Sequence, residues 1–243
     1  MGHANLLLAR LPLAVLERLD RRMERVDLLR GQILQRAEDP TRFAYFPTSG
    51  LVSLLALTAE GTTLELAAVG SEGLVGMPIV LPASSTPYQA VVQISGASVR
   101  LRADLLAAEL ADSPALRDAC LRYASQALRE VGQSTVCHHF HPLSERLCRW
   151  LLAASDRVHS ATLALTQESL AQVLGVPRTA VSAAAVDLQR ADAIRCRRGS
   201  IELVNRRRLE VSACSCYTAG REDFMLTPPP GDSRVLPAVR PIP

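Results

Sequence analysis

Residues 166–188 read TQESLAQVLGVPRTAVSAAAVDL and predict two short helices joined by a sharp turn. Thr166 indicates the start of the first helix, because its hydroxyl can accept an unpaired N–H of the first turn. Gly175 indicates the end of that helix, since glycine adopts the left-handed conformation at little cost. Pro177 opens the second helix, where its missing N–H is not needed. The predicted buried faces are Leu170, Val173 and Leu174 on the first helix and Val181, Ala185 and Leu188 on the second.

The small residues of this stretch have the spacing of a DNA-binding helix-turn-helix. Ala171, Gly175 and Val181 supply a small side chain at the crossing, a glycine in the turn and an apolar plug beneath the second helix. The outer face near the start of the second helix is the part of a recognition helix that reaches base edges. Its residues are Arg178, Thr179 and Ser182. An ordinary helical hairpin in a globular core is the alternative.

Residues 192–204 read DAIRCRRGSIELV and predict a two-stranded hairpin. Ile194 and Cys196 alternate with Arg195 and Arg197, and Gly199 at the tip supplies the positive φ of a tight turn. A helix-turn-helix followed directly by a basic hairpin is typical of a winged helix, whose arginines would contact phosphates beside the groove. A charged, solvated hairpin without a partner is the alternative.

The segments LTQESLAQVLGVPRTAVSAA, IRCRRGSIELV and ACSCY make residues 141–217 resemble the DNA-binding domain of the Crp/Fnr family of bacterial transcription regulators. The resemblance extends through the N-terminal half of the chain. It implies an α+β protein with an antiparallel β-roll of the cyclic-nucleotide-binding (jelly-roll) type, a long dimerisation helix and a C-terminal winged helix-turn-helix. The implied boundaries are 1–111, 112–141 and 142–217, followed by a proline-rich tail at 218–243 that we expect to be disordered or extended.

The N-terminal half has the pattern of an antiparallel β-domain. Residues 11–20 predict a short helix with Leu13, Leu16 and Leu19 on one face. Between residues 25 and 101, short apolar and threonine-containing runs are separated by turn signals, which predicts a sandwich or barrel. The clearest strands are RFAYFP, LVSLLAL, TTLELAAV and AVVQIS. They agree with the β-roll that the resemblance implies.

A long helix is predicted between the two domains. Residues 102–110 predict one helix, and residues 114–139 predict a longer one that ends before Pro142, at a natural hinge. The near-heptad seam of the longer helix consists of Leu116, Cys120, Tyr123, Ala127, Val131 and Ser134. The resemblance implies that this helix pairs with its twin in a homodimer, and packing of the seam on the chain's own β-roll is the alternative. Further helices are predicted at 143–154 and 207–217.

The resemblance also implies an effector site in the β-roll, at VGSEGLVGMP (residues 69–78), where glycine N–H groups could hold an anion. The candidate effector residues are Gly70, Glu72, Gly73, Gly76, Tyr88 and Gln89. The family's usual phosphate-binding arginine is absent, because the later strand has Tyr88 and Gln89 instead. A buried phosphate without a positive partner is costly. Cyclic AMP and cyclic GMP are therefore not expected, and no cofactor is assigned. The β-roll is interpreted as a scaffold or as a pocket for another small molecule.

The chain has six cysteines and the stretch CHHFH (residues 137–141), whose side chains are possible metal ligands. Cysteines of a cytosolic chain are reduced thiols by default, and no cysteine precedes Cys120, so the N-terminal cluster of the family's iron–sulfur sensors is missing. CHHFH lacks the acid and further histidine of a metallohydrolase motif. Cys214 and Cys216 lie two apart on a predicted helix and are expected to point to different faces. No metal site is predicted.

Composition limits the remaining possibilities. A chain of 243 residues can form two small domains, and its net charge is +3. All 27 basic residues are arginine, and six of them fall between positions 195 and 208, which indicates binding to a phosphate backbone. No apolar run reaches the ~18 residues of a membrane span. The charged N-terminus does not resemble a secretory signal, so a cytoplasmic location is expected.

These observations predict a homodimeric, sequence-specific transcription regulator rather than an enzyme. The helix over 177–189 would enter the major groove at an inverted-repeat site. The residues that would position the protein on phosphates are Thr166, Gln167, Arg195, Arg197 and Arg198. The expected partners are double-stranded DNA, a second copy of the chain and RNA polymerase, and no membrane. The alternatives are a ligand-binding or redox- or metal-sensing module whose helix-turn-helix serves protein contacts, and a metal-dependent enzyme that uses residues 137–141.

Overall fold

The computed structural model describes residues 3–81 and 83–219, and it has the α+β architecture predicted from the sequence. The predicted tail at 218–243 lies outside the described residues from position 220 onward. Two short helices come first, α1 (Leu6–Ala9) and α2 (Leu13–Asp20). The α2 residues that face the core are Val15 and Leu19, one turn apart, whereas Leu13 is 70% exposed. The predicted apolar face through Leu13 is therefore wrong.

Two antiparallel sheets enclose the N-terminal core. Their strand orders are β1–β7–β3 and β2–β6–β4–β5. The strands are β1 (Glu24–Leu28), β2 (Ile33–Gln35), β3 (Phe43–Pro47), β4 (Leu51–Leu57), β5 (Thr63–Val69), β6 (Tyr88–Ile94) and β7 (Gly96–Arg102), with the one-turn helix α3 (Met77–Val80) between β5 and β6. Phe46 of the first sheet and Val52 and Val92 of the second belong to one buried cluster. All four strands that the sequence indicated most clearly are present.

Helix α4 (Ala103–Asp112) leads into the long helix α5 (Pro114–Phe140), as predicted. Ser113 caps α5, because its hydroxyl accepts the N–H of Leu116 at 3.3 Å. Leu116, Cys120 and Tyr123 of the predicted seam are buried in the core of the chain's own β-roll. The alternative interpretation of the seam is thus correct: the β-roll covers these residues, and a partner helix would have to contact another face of α5.

The C-terminal domain consists of α6 (Leu143–Val158), β8 (Thr162–Leu163), α7 (Gln167–Leu174), α8 (Arg178–Arg190), β9 (Ile194–Arg197), β10 (Ser200–Leu203) and α9 (Arg206–Ser212). Its small sheet has the order β8–β10–β9. The predicted single helix over 207–217 is wrong, because α9 ends at Ser212 and Ala213 is extended. The chain then turns back over α6, where the Tyr217 hydroxyl donates to Asp156 at 2.8 Å.

The two domains share a second core. Leu51, Leu55, Ala68 and Ile94 project from the four-stranded sheet into the same buried cluster as the apolar residues of α6, α7 and α8. The helix-turn-helix is thus packed directly on the β-roll in this structure. Among the described helices, none combines the length and the apolar character that crossing a bilayer requires.

Candidate nucleic-acid interface and effector site

The helix-turn-helix forms as the sequence predicts. The Thr166 hydroxyl accepts the N–H of Ser169 at 3.1 Å, and the Ser169 hydroxyl accepts the N–H of Thr166 in return. This capping box fixes the start of α7. Gly175 ends α7 with φ +63°, and Pro177 directly precedes the first residue of α8. The six predicted inner residues are all buried: Leu170, Val173, Leu174, Val181, Ala185 and Leu188.

The outer face of α8 presents polar side chains at the N-terminal end of the helix. Arg178 and Thr179 are exposed. Ser182 is half-buried, and its hydroxyl donates to Oε1 of Gln167 at 2.7 Å. This bond joins the first turn of α7 to the outer face of α8. Arg178 and Thr179 are therefore presented on a surface whose two helices are held in a fixed relation.

The wing is the predicted hairpin of β9 and β10, with Gly199 at φ +78° at its tip. The backbone N–H of Cys196 donates to the Gln189 side chain at 2.8 Å, which attaches the wing to α8. Arg195 pairs with Glu202 at 3.0 Å, and Arg198 is exposed beside the tip glycine. The third strand, β8, was not predicted, because a strand of two residues has no readable alternation.

The C-terminal arginine cluster is divided between two roles. Arg206 pairs with Asp156 at 2.7 Å and with Glu210 at 2.9 Å, so it holds α9 against α6. Arg208 donates to the backbone carbonyl of Ala191. Arg206 is therefore paired with carboxylates of its own domain, although its side chain is 40% exposed. The other five members of the cluster are all exposed: Arg195, Arg197, Arg198, Arg207 and Arg208.

Comparison with known proteins agrees with this architecture. Residues 145–211 match the family model of the Crp-like helix-turn-helix domain. The chain is 24% identical over 198 residues to the CRP-like cAMP-activated global transcriptional regulator of Mycobacterium tuberculosis, covering 79% of this chain and 88% of that protein. The chain thus contains a Crp-like helix-turn-helix domain.

Two solved structures illustrate the fold that this chain shares with known proteins. FixK2 from Bradyrhizobium japonicum has a TM-score of 0.68 at 16% identity, over 79% of this chain and 98% of FixK2. The c-di-GMP responsive regulator CLP of Xanthomonas campestris has a TM-score of 0.66 at 18% identity, over 80% of this chain and all of CLP. At these identities the likeness is one of fold.

The candidate effector segment is occupied by contacts within the chain. A Cβ at Gly73 would collide with the phenol ring of Tyr123, so α5 fills the space beside this glycine. Oε1 of Glu72 accepts the Gly70 N–H at 2.9 Å and the Nε–H of Arg157 at 3.1 Å. Gly76 has φ +122° and lies against the backbone of β3.

The remaining candidate effector residues, Tyr88 and Gln89, lie on β6 opposite Ala56 and Leu55 of β4. Burial raises the pKa of Tyr88, and a hydrogen bond with Thr86 opposes that rise. Both residues therefore belong to the four-stranded sheet, and their backbones serve its hydrogen-bond ladder.

A polar network between the domains was missed by sequence reasoning. The indole N–H of Trp150 in α6 donates to Oε1 of Glu65 in β5 at 2.7 Å, and the Ser53 hydroxyl donates to Oε2. Glu65 is 6% exposed. Its burial raises the pKa, and the hydrogen bonds from Ser53 and Trp150 only partly offset this effect. The one available signal was an acid inside the apolar strand TTLELAAV.

Arg157 is the second interdomain link. Its guanidinium contacts Glu72 at 3.1 Å and Glu130 of α5 at 2.8 Å, and its side chain is largely buried. Burial acts to lower the pKa of Arg157, but the charges of Glu130 and Glu72 outweigh it and raise that pKa above its ordinary value. Arg157 thus joins the effector segment, the long helix and the DNA-binding domain.

The cysteines do not lie where the sequence suggested. Cys214 and Cys216 do not point to different faces, because α9 has already ended and the extended backbone at Ala213 redirects the chain. Both thiols are buried with Cys137, and the three sulfur atoms lie within 4.8 Å of one another. The other residues of CHHFH make separate contacts: Nδ1 of His138 lies 2.7 Å from the Ser134 carbonyl oxygen, His139 packs edge-on against Phe140, and His141 lies 3.3 Å from Glu145.

Proposed function

We propose that this regulator binds an inverted-repeat DNA site as a cytoplasmic homodimer, with one α8 helix in the major groove of each half-site. The observation that carries the proposal is the exposure of Arg178 and Thr179 at the N-terminal end of α8, directly beyond the turn at Gly175. Side chains in that part of a recognition helix reach base edges. Arg178 suits a guanine, because a guanidinium can donate to O6 and N7 together.

The contacts to the DNA backbone are assigned to the edges of this surface. Thr166 and Gln167 lie at the N-terminus of α7, where unpaired backbone N–H groups and the helix dipole favour a phosphate. Arg195, Arg197 and Arg198 lie on the wing, beside the groove that α8 would occupy. Because Ser182 is hydrogen-bonded to Gln167, these two side chains would act as a unit that couples base and backbone contacts.

The dimer contact is assigned to the face of α5 opposite the buried seam. Leu121, Ser125, Leu128 and Gly132 are exposed and follow the alternating spacing of four and three residues that is typical of a two-stranded coiled coil. Leu128 is 73% exposed. A Cβ at Gly132 would meet no atom within 4 Å, so nothing in the described part of the chain hinders close approach of a second helix there.

Effector control is assigned to the contact between Glu72 and Arg157. A ligand that engaged the segment at 69–78 would compete with Arg157 for Glu72 and so loosen α6 from the β-roll. Two relatives are described as cAMP-activated and c-di-GMP responsive. Here Tyr123 lies against Gly73, and the later strand has Tyr88 and Gln89, so we assign a small molecule other than a cyclic nucleotide. RNA polymerase is the expected protein partner.

The test is hydroxyl-radical footprinting on genomic DNA fragments that the purified protein retains at physiological salt. Two symmetric protected patches with centres about one helical turn (~34 Å) apart are expected. Affinity should fall steeply with salt, because each phosphate contact releases counterions. Weak binding that does not respond to salt would instead support the second candidate, a module whose helix-turn-helix contacts protein. The proposed function is regulatory and involves no catalytic step.

A further inference from the structure

Three cysteines from two distant parts of the chain meet at the hinge between the domains. Cys137 lies in the last turn of α5, and Cys214 and Cys216 follow the end of α9. Their side chains form a buried cluster that belongs to neither apolar core. Sγ of Cys137 and Sγ of Cys214 are 3.5 Å apart, and all three sulfur atoms lie within 4.8 Å of one another. Thiolates bound to one tetrahedral Zn²⁺ at about 2.3 Å lie about 3.8 Å apart, so these sulfur positions fit a shared metal.

Arginine side chains and one side-chain amide lie beside the three sulfur atoms. Arg146 and Arg149 of α6 are close enough for their charges to act on Cys137. The Nε–H groups of both arginines are buried and have no hydrogen-bond partner among the described residues. The side-chain amide of Gln133 donates to Sγ of Cys216 at 2.9 Å. Cationic groups and N–H donors around thiolates are what a metal–thiolate centre requires of its environment.

We propose that Cys137, Cys214 and Cys216 bind one thiophilic metal ion, Zn²⁺ or Cu⁺, through three thiolates. Sulfur ligands select these ions over harder cations. Binding releases the thiol protons to solvent and changes no oxidation state. Three thiolates complete a trigonal site for Cu⁺, whereas Zn²⁺ would take a further ligand. The two positive guanidinium groups offset the remaining negative charge of the centre.

The position of this site gives the metal a structural consequence. Cys137 lies one helical turn before His141, the C-cap of α5, and α6 begins directly after Pro142. A metal would therefore fasten the end of the dimerisation helix to the chain that follows α9, on both sides of the hinge. Arg146 also donates to the Leu174 carbonyl at 3.4 Å, immediately before the turn of the helix-turn-helix. An effect of the metal on DNA affinity rests on the proposed function, but metal binding itself does not.

The experiment measures metal bound to the purified full-length protein under reducing conditions. The protein is equilibrated with Zn²⁺ or with Cu⁺, desalted and analysed by mass spectrometry for metal and protein content. About one ion per chain is expected for at least one of the two metals. Cys137→Ser, Cys214→Ser and Cys216→Ser should each lower the bound metal at least about tenfold. Cys196→Ser, which changes the half-buried wing cysteine, is the matched control and should retain it.

A second measurement uses the unmodified protein, because a buried cysteine variant can fail to fold. Bound metal should slow alkylation of Cys137, Cys214 and Cys216 by a small electrophile at least about tenfold, and should leave Cys196 unaffected. Equal alkylation with and without metal would overturn the proposal. Metal retained in all three cluster variants would also overturn it. So would a reduced wild-type protein that retains neither ion after desalting and forms a Cys137–Cys214 disulfide when it is then exposed to air.

Discussion

Trp150 of the DNA-binding domain donates its indole N–H to the carboxylate of Glu65 in the β-roll, across 2.7 Å and 85 residues of sequence. Glu65 is buried on the sheet face that shares a core with the helix-turn-helix. A hydrogen bond to a buried acid is worth most when both partners are shielded from water. The orientation of the two domains therefore depends on a titratable group.

The Glu65 carboxyl makes the stability of the protein depend on pH. Burial raises its pKa in the folded chain above the ordinary value of 4.5. Between about pH 4.5 and the folded-state pKa, the folded chain keeps the Glu65 proton whereas the unfolded chain has released it. The free energy of unfolding therefore falls as the pH rises through this range. In urea unfolding at a series of pH values, the free energy of unfolding of Glu65→Gln should fall less with rising pH than that of the wild type.

Trp150→Phe is the matched variant for this titration. The Trp150 hydrogen bond lowers the pKa of Glu65, so its removal should raise that pKa further and extend the decline to higher pH. The variant should also lose about 1–3 kcal/mol at neutral pH, because a buried acceptor is left without its donor. Identical pH profiles for Trp150→Phe and the wild type would show that the contact does not form in solution.

Arg157→Met tests the second link between the domains. Removing the buried guanidinium leaves the largely buried Glu72 and the partly exposed Glu130 without their cation, which should cost about 3 kcal/mol in thermal or urea unfolding. Arg102→Ala breaks the exposed pair with Asp104 and should leave the free energy of unfolding close to that of the wild type. Comparable losses in the two variants would contradict the buried arrangement.

Leu128→Glu tests the proposed dimer face. Two facing glutamates would replace an apolar contact on α5, so the dimer should weaken by at least about tenfold, measured by light scattering over a concentration series. Val211→Glu places the same charge at a position on α9 that is 80% exposed and should leave the dimer unchanged. A wild-type protein that is monomeric throughout, or a Leu128→Glu dimer of undiminished affinity, would exclude this face.

Arg178→Ala tests the base contact. Loss of a bidentate arginine should cost about 1–3 kcal/mol on the preferred site and relax specificity at one base pair, in anisotropy titrations against single-base variants. Arg190→Ala removes a charge from the other end of α8, where Arg190 pairs with Asp187, and should keep the ranking of the base variants. A uniform loss of affinity for Arg178→Ala on all sequences would identify Arg178 as a phosphate contact.

Local features of the fold could be predicted, because they depend on neighbouring residues. The cap at Thr166, the turn at Gly175 and the hairpin tip at Gly199 each follow from the conformations that one residue type permits. The apolar spacing in α7 and α8 likewise identified their buried faces, since that spacing follows the period of the helix itself.

Features that depend on distant contacts could not be predicted. The seam of α5 was visible, but its spacing does not distinguish a partner helix from the chain's own β-roll. The end of α9 at Ser212 follows from the burial of Cys214 and Tyr217 against α5 and α6. No glycine or proline in the sequence indicates this end. The bond between Trp150 and Glu65 required the packing of one whole domain on the other.

The central claim is that two copies of this chain read an inverted repeat through α8, and selection from random duplex DNA tests it most directly. The purified protein is used at physiological salt, in parallel with Arg178→Ala. The account predicts one enriched inverted repeat with half-sites about one helical turn apart, and a relaxed base at one position of each half-site for the variant. Enrichment of no motif, with or without metabolite extract, or of the same motif for both proteins, would contradict it.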